Sequence, residues 1–206
     1  MRKLIHCAFI SATLGCASAG SADILFHFEE VGSDVTMTSS GTFDTTGLII
    51  VGPFEWGLTG IEENGSHDIM GGTDVGQVDI SFAFNPGTDF TQWRSAFGPW
   101  TASDFSAQVT SGVKGFATYV IDDNGRQAPG LGVERADMNG ALWSPDQNWI
   151  WTNRSFASLN MIPGTYSVSD SITGETITIQ IGVIPAPGAL ALLGVAGLAA
   201  TRRKRG

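Results

Sequence analysis

Apolar and polar residues alternate singly in three separate stretches of the chain. A period of two places successive side chains on opposite faces of a strand, so each stretch predicts a β-strand with one buried face. The second stretch is the cleanest, with Ser81 and Ala83 expected on its solvent side. The predicted buried positions are Ile24, Phe26 and Phe28 in the first, Val78, Ile80, Phe82 and Phe84 in the second, and Ile177, Ile179, Ile181 and Val183 in the third.

The rest of the chain favours the same class of fold. Further strands are predicted at 35–43, 48–51, 116–122 and 165–170, and a helix is expected only around 101–109. Turn sequences separate these stretches, among them Asn64-Gly65, Asn85-Pro86-Gly87 and Asp123-Asn124-Gly125. Short strands joined by regular turns predict an all-β body over residues 23–183, an antiparallel β-sandwich or jelly roll.

Composition and charge narrow the possible partners. The 206 residues include 12 Phe, 6 Trp and 2 Tyr, enough aromatic side chains for a substantial core. Residues 23–200 carry all 20 acidic residues and only five basic ones, a net charge of −15. Because so acidic a body repels phosphate backbones, binding of nucleic acid is not expected.

The N-terminus has the pattern of a secretory signal peptide, which predicts passage through the export machinery. Arg2 and Lys3 precede an apolar run that is too short to span a bilayer, and small residues follow it. Ala17-Ser18-Ala19 fits the A-x-A cleavage pattern, and Gly20-Ser21-Ala22 offers a second cleavage position. The signal peptide is therefore assigned to residues 1–22, with cleavage after Ala19 or Ala22.

Both cysteines of the chain lie in this predicted signal segment. Removal of residues 1–22 takes away Cys7 and Cys16, so the mature body contains no cysteine, disulfide or thiol nucleophile. Thr13-Leu14-Gly15-Cys16 offers an alternative, lipidation of Cys16, but a lipobox usually has Leu three residues before the Cys, where this chain has Thr13. The A-x-A interpretation is preferred.

The C-terminus combines a proline pair, an apolar run and a basic cluster. Pro185-Ala186-Pro187 precedes the apolar residues 188–200, which are followed by the basic cluster Arg202-Arg203-Lys204-Arg205. Thirteen residues make a helix of about 20 Å, shorter than the roughly 30 Å hydrocarbon core of a bilayer. The basic cluster is expected to stay in the cytoplasm, with the acidic body outside. The pattern favours transient retention in the inner membrane over the alternative, a permanent C-terminal anchor.

This three-part tail resembles the PEP-CTERM sorting signal of Gram-negative bacteria. The resemblance covers about the last 22 residues, with Ala186 in place of the usual glutamate. It implies recognition by an exosortase, a membrane cysteine transpeptidase or protease, which would cut near Pro185, Ala186 and Pro187 and release the body or pass it to the cell surface. Residues 184–206 are thus assigned to a sorting tail.

The body also resembles the ectodomains that commonly precede such tails. The similarity lies in its opening, Asp23-Ile-Leu-Phe-His-Phe-Glu-Glu-Val, and in Ser155-Phe-Ala-Ser-Leu-Asn-Met-Ile-Pro-Gly-Thr-Tyr166, which is expected to lead into the last hairpin. The ectodomains it resembles look non-catalytic, so this second resemblance implies no chemistry.

Candidate catalytic and metal-binding residues are few. The mature body has two histidines, His27 and His67, in no zinc-binding motif, and no G-x-S-x-G motif is present. Two D-x-N-G sequences, at 122–125 and 137–140, could offer oxygens to calcium. As hairpin turns they need no metal, and that interpretation is preferred, so no catalytic residue, metal ligand or cofactor is assigned.

Three tryptophans provide the one candidate for ligand binding. Trp149 and Trp151 share a strand face, and Trp143 lies just upstream. Exposed, these rings could stack on the sugars of an exopolysaccharide; buried, they would belong to the core, which is the more common place for large aromatic side chains.

Together these patterns predict a non-catalytic protein of the cell surface or extracellular matrix. It would be exported, held in the membrane through its tail, and then processed by an exosortase. A carbohydrate-binding module acting through Trp143, Trp149 and Trp151 is the alternative, and a secreted hydrolase is the third class.

Overall fold

The structure is a computed structural model that describes residues 23–55, 59–62, 68–72, 77–94, 105–119 and 130–182. Most of these residues lie in strands; the helical ones form α1 (Thr91–Arg94) and two 3-10 turns, Arg135–Asp137 and Ala157–Leu159. The strands are β1 (Asp23–Val31), β2 (Asp34–Gly41), β3 (Phe43–Asp44), β4 (Ile49–Val51), β5 (Phe54–Glu55), β6 (Gly60–Glu62), β7 (Asp68–Gly71), β8 (Gln77–Val78), β9 (Ile80–Ala83), β10 (Phe105–Ser106), β11 (Val109–Ser111), β12 (Phe116–Tyr119), β13 (Gly130–Val133), β14 (Leu142–Trp143), β15 (Asn148–Trp151), β16 (Gly164–Ser169) and β17 (Thr176–Ile181).

Sheet I contains the first and last strands of the described chain. Its order is β11-β15-β2-β1-β17-β16. Neighbouring strands are antiparallel except β1 and β17, which pair in parallel with Asp23 opposite Thr176 and Phe28 opposite Ile181. The two ends of the body therefore meet in the middle of one sheet.

Sheet II contains most of the strands between β4 and β13. Its order is β10-β6-β7-β12-β13-β9-β4, and every neighbouring pair in it is antiparallel. Two short pairs, β3 with β14 and β5 with β8, complete the strand pairing of the described residues. The predicted all-β class is confirmed.

One hydrophobic core joins the two sheets, and Phe116 lies at its centre. From β12 of sheet II, the Phe116 ring stacks on Phe26 of sheet I at a centroid distance of 5.5 Å. The Trp149 ring lies 6.2 Å from Phe116, nearly parallel to it. Large aromatic rings in offset contact bury much apolar area, so this stack holds the sheets against each other.

The alternation predicted at both ends of the body is confirmed. Ile24, Phe26 and Phe28 are buried on β1, and their neighbours on the other face are only half-buried. On β17, Ile177, Ile179 and Ile181 are buried in the same manner; Val183 lies outside the described residues.

The prediction for the second alternating stretch is wrong in one respect. Ser81 and Ala83, expected to face solvent, are as buried as Ile80 and Phe82. The strand β9 lies inside sheet II, between β13 and β4, and both its faces are covered. Small side chains on the second face fit a covered surface, and an alternating pattern alone cannot distinguish them from solvent-facing ones.

The helix predicted around 101–109 is also wrong where the structure describes it. Residues 105–106 form β10, and β11 begins at Val109. Phe105 pairs with Ile61 and Val109 with Ile150, so tertiary pairing decides the conformation of this segment. The α-helical turn lies earlier, at α1, where the Asp89 carboxylate accepts a hydrogen bond of 2.8 Å from the Thr91 N–H.

Candidate functional site

The three tryptophans proposed for glycan binding are core residues. Trp143, Trp149 and Trp151 are each only 1% exposed. Trp149 and Trp151 do share a face of β15, as predicted, but that face points into the core, where their rings meet edge to face at 5.9 Å. Trp143 packs on Phe116 at 5.6 Å. Sugar stacking needs an exposed ring face. The prediction that these rings stack on sugars is therefore wrong, and the interpretation of the tryptophans as core residues is confirmed.

A buried glutamine supports the Trp149 indole. The Trp149 Nε1–H donates to Gln147 Oε1 over 3.1 Å, and the Gln147 amide donates to the Lys114 carbonyl and the Asp146 carboxylate. Gln147 is itself buried. This chain of hydrogen bonds satisfies the polar end of Trp149 inside the core.

The D-x-N-G sequence at 137–140 forms a tight turn. Asn139 and Leu142 exchange backbone hydrogen bonds of 2.8 and 3.1 Å, and Gly140 has a φ of +64°. The predicted turn is present in this copy. The other copy, at 122–125, lies outside the described residues.

The described residues offer no metal-binding cluster. No group of three or more His, Cys, Asp or Glu side chains that could hold a metal ion occurs among them. His27 lies on the outer face of β1, with its Nε2 3.5 Å from Glu29 Oε1 of the same strand. His67 lies outside the described ranges.

A buried carboxylate that sequence reasoning missed joins the two sheets. Asp170, just after β16, accepts hydrogen bonds from the backbone and side-chain N–H groups of Asn85, just after β9. It also accepts from the backbone N–H groups of Ile172 and Thr173 and from the Thr173 hydroxyl. We call Asn85, Asp170, Ile172 and Thr173 the Asp170 junction.

The Asp170 junction holds a charge in its ionised form. Burial alone would raise the pKa of Asp170, but the hydrogen bonds from Thr173, Asn85 and Ile172 outweigh it and lower the pKa from 3.8 to about 2. A carboxylate saturated with donors and ionised at neutral pH is a poor proton donor or acceptor. Its role is to connect the sheets.

Further carboxylates surround this junction. Glu175 accepts a 2.9 Å hydrogen bond from the Asp44 N–H. Its pKa is raised, first by burial and then by repulsion from the carboxylates of Asp44, Asp23 and Asp170, against the lowering effect of that hydrogen bond. One end of sheet I thus concentrates negative charge.

A pocket of about 490 Å³ opens beside the edge of sheet II. Ile80 and Phe82 lie buried in its lining, while Ile50 is exposed. The polar groups are Thr45, whose hydroxyl donates to the Ala141 carbonyl, and Arg135, whose Nε lies 3.7 Å from Asp79 Oδ2. The pocket is suited to an apolar group and offers no nucleophile with an adjacent base.

The predicted processing sites fall outside the described residues. These are the signal cleavage positions Ala19 and Ala22, the tripeptide Pro185, Ala186 and Pro187, and the basic cluster Arg202, Arg203, Lys204 and Arg205. They remain predictions from sequence. In the part of the chain that the structure covers, no helix has the length and apolar character to cross a bilayer.

Fold and site together define a class: an all-β protein whose two main sheets share an aromatic core. No protein-family model matches the chain, and neither a curated protein nor a solved structure matches it.

Proposed function

We propose that this chain is an exported, non-catalytic protein of the cell surface or extracellular matrix, associated with exopolysaccharide and sorted through its C-terminal tail. An exosortase-type enzyme would cut near Pro185, Ala186 and Pro187 after the tail has held the exported chain in the inner membrane. The body over residues 23–183 would then be a β-sandwich of the jelly-roll type that is displayed or released.

The observation that carries this proposal is the order of three elements within the last 22 residues. A proline pair comes first, a run of 13 apolar residues that is too short to span a bilayer follows, and four basic residues come near the end. The basic residues would stay on the cytoplasmic side. A signal peptide at the other end supports the same route, because the tail can act only on a chain that is exported.

The sequence also supports the non-catalytic part of the proposal. The mature body has no cysteine, two histidines in no catalytic motif, and no G-x-S-x-G sequence. The fold supports a displayed body, because two sheets with an aromatic core stabilise the domain without disulfides.

Neutralising the basic cluster tests the sorting step. Substituting Arg202, Arg203, Lys204 and Arg205 by Gln should abolish retention, because the positive charges hold the tail on the cytoplasmic side. In a host that has an exosortase, we expect the parent chain to lose its tail and the variant to reach the medium with residues 188–200 intact. Mass spectrometry of the membrane and medium fractions measures both.

Two controls make this test specific. Arg154→Gln removes a basic residue from the body and should leave processing unchanged. The parent chain in the same host without exosortase should keep its tail. Tail removal that continues without the exosortase would contradict the proposal.

A further inference from the structure

The strand β4 is the last strand of sheet II in the described part of the chain. It pairs with β9 on one side, with Ile49 opposite Ala83, Ile50 opposite Phe82 and Val51 opposite Ser81. An edge strand presents backbone N–H and C=O groups along its other side, which a further strand can satisfy.

This edge strand is three residues long and carries no charged side chain. Ile49 is 40% exposed and Ile50 is 67% exposed, on opposite faces of the strand. Residues 48–53, Leu-Ile-Ile-Val-Gly-Pro, contain no charge. Natural edges are commonly guarded by lysine or other charged side chains, so an uncharged edge with two exposed isoleucines is typical of an interaction surface.

The pocket beside the edge adds a second apolar feature on one face. Because Ile50 is directly opposite Phe82, their side chains lie on the same face of sheet II, and both line the pocket. A partner strand added to β4 would place a side chain next to Ile50 at the rim of this pocket. We call β4 and the pocket together the β4 surface.

We propose that the β4 surface is an interface between two copies of this chain, which join through antiparallel pairing of β4 with β4. The partner must offer an open strand edge, an uncharged segment and an apolar side chain that can pack against Ile50. The β4 strand of a second copy supplies all three.

The symmetry of such a pair is defined by the strand itself. A two-fold axis perpendicular to the sheet places Ile50 opposite Ile50 of the second copy and Ile49 opposite its Val51. Both pockets then open on the same side of one continuous sheet, next to the paired Ile50 side chains. The interface is self-complementary.

Charge also favours this surface for self-association. Residues 23–200 have a net charge of −15, so two copies repel each other when they approach through their acidic regions. The uncharged β4 segment is a place where they can meet with less repulsion. Added salt should therefore strengthen the pair by screening the remaining repulsion.

Sedimentation of the full chain tests the interface. From about 1 µM to about 1 mM, we expect a concentration-dependent monomer–dimer equilibrium that shifts toward dimer in salt. Ile50→Lys should weaken the dimer at least tenfold, because it places two positive charges face to face at the two-fold axis. Ile162→Lys, at a residue that is 49% exposed on another loop, is the matched control and should leave the dimer unchanged.

A cross-link tests the register. With Cys7→Ser and Cys16→Ser, the chain contains no thiol, so Ile50→Cys introduces a single one. Mild oxidation should cross-link the Ile50→Cys chain to itself, and the Ile162→Cys chain should remain uncross-linked. A parent chain that stays monomeric to about 1 mM, or a dimer that survives Ile50→Lys, overturns the proposal. All these variants share the same tail, so a difference between them reports on the β4 surface.

Discussion

Replacing Trp149 by alanine is expected to lower the free energy of unfolding by about 4 kcal/mol. The side chain is only 1% exposed, and its ring stacks on Phe116 and meets Trp151 edge to face. Loss of the indole would leave a large cavity between the sheets and deprive the buried Gln147 Oε1 of its donor. Urea denaturation of the exported protein, followed by circular dichroism, measures the loss.

The close packing around Trp149 explains why even a smaller substitution should lower the free energy of unfolding. Its ring lies against the backbone of Gly71 on sheet II, where an added β-carbon would approach the ring to 2.5 Å. If the alanine variant does not fold, Trp149→Phe keeps an aromatic ring and should show a smaller loss. Ile150→Ala is the control, because Ile150 is the adjacent, half-buried residue on the other face of β15. An unfolding free energy unchanged by Trp149→Ala would contradict the core assignment.

The second large effect is expected at the Asp170 junction. Asp170→Asn should destabilise the protein at neutral pH by about 2 kcal/mol, the free energy that corresponds to a pKa lowered from 3.8 to about 2. The substituted amide would also direct N–H groups toward the donors of Asn85 and Thr173, which adds to the loss. Urea denaturation between pH 7 and pH 2 measures the effect.

The pH dependence of this loss has a definite sign. Because folding lowers the pKa of Asp170, its stabilising contribution is complete above about pH 4 and disappears as the pH falls through the folded pKa of about 2. The difference between the parent and Asp170→Asn should therefore shrink over that window. Asp89→Asn, at an exposed carboxylate that accepts from Thr91, is the matched control and should change stability far less. A difference that stays constant down to pH 2 would contradict the assignment.

Glu175 should affect the pH dependence of stability with the opposite sign to Asp170. Burial and the neighbouring carboxylates raise its pKa, so ionised Glu175 destabilises the fold and its protonation relieves the repulsion. As the pH falls from neutrality, Glu175 takes up its proton before Asp170 does. The parent should therefore gain stability before it loses it, and Glu175→Gln should remove that gain.

Local pattern predicted the strands whose one face is buried. The alternation of β1 and β17, and the shared face of Trp149 and Trp151, follow from a period of two and needed no knowledge of partners. The parallel pairing of β1 with β17 could not be predicted in this way, because it joins opposite ends of the body.

The strands of sheet II were harder to predict. The strand β13 has the sequence Gly-Leu-Gly-Val, in which glycine normally argues against a strand. A β-carbon at Gly130 would collide with the backbone of Phe82, so the glycine permits close approach to β9. Such a reason exists only once the partner strand is known.

The same limit applies to the candidate sites. The Asn85-Pro86-Gly87 turn was visible in the sequence, but its contact with Asp170, 85 residues away, arises only when the two sheets meet. Whether the tryptophan face points inward or outward is likewise a property of the whole fold. In contrast, the signal-peptide pattern and the tail pattern are contiguous sequences that can be recognised without the fold. The proposed function rests on these two patterns.

The intact mass of the exported protein tests that function most directly. We expect a mature chain that begins after Ala19 or Ala22 and ends near Pro185, Ala186 and Pro187. The basic cluster and the apolar run would both be absent from it. A mature chain that still ends at Gly206 would contradict the account.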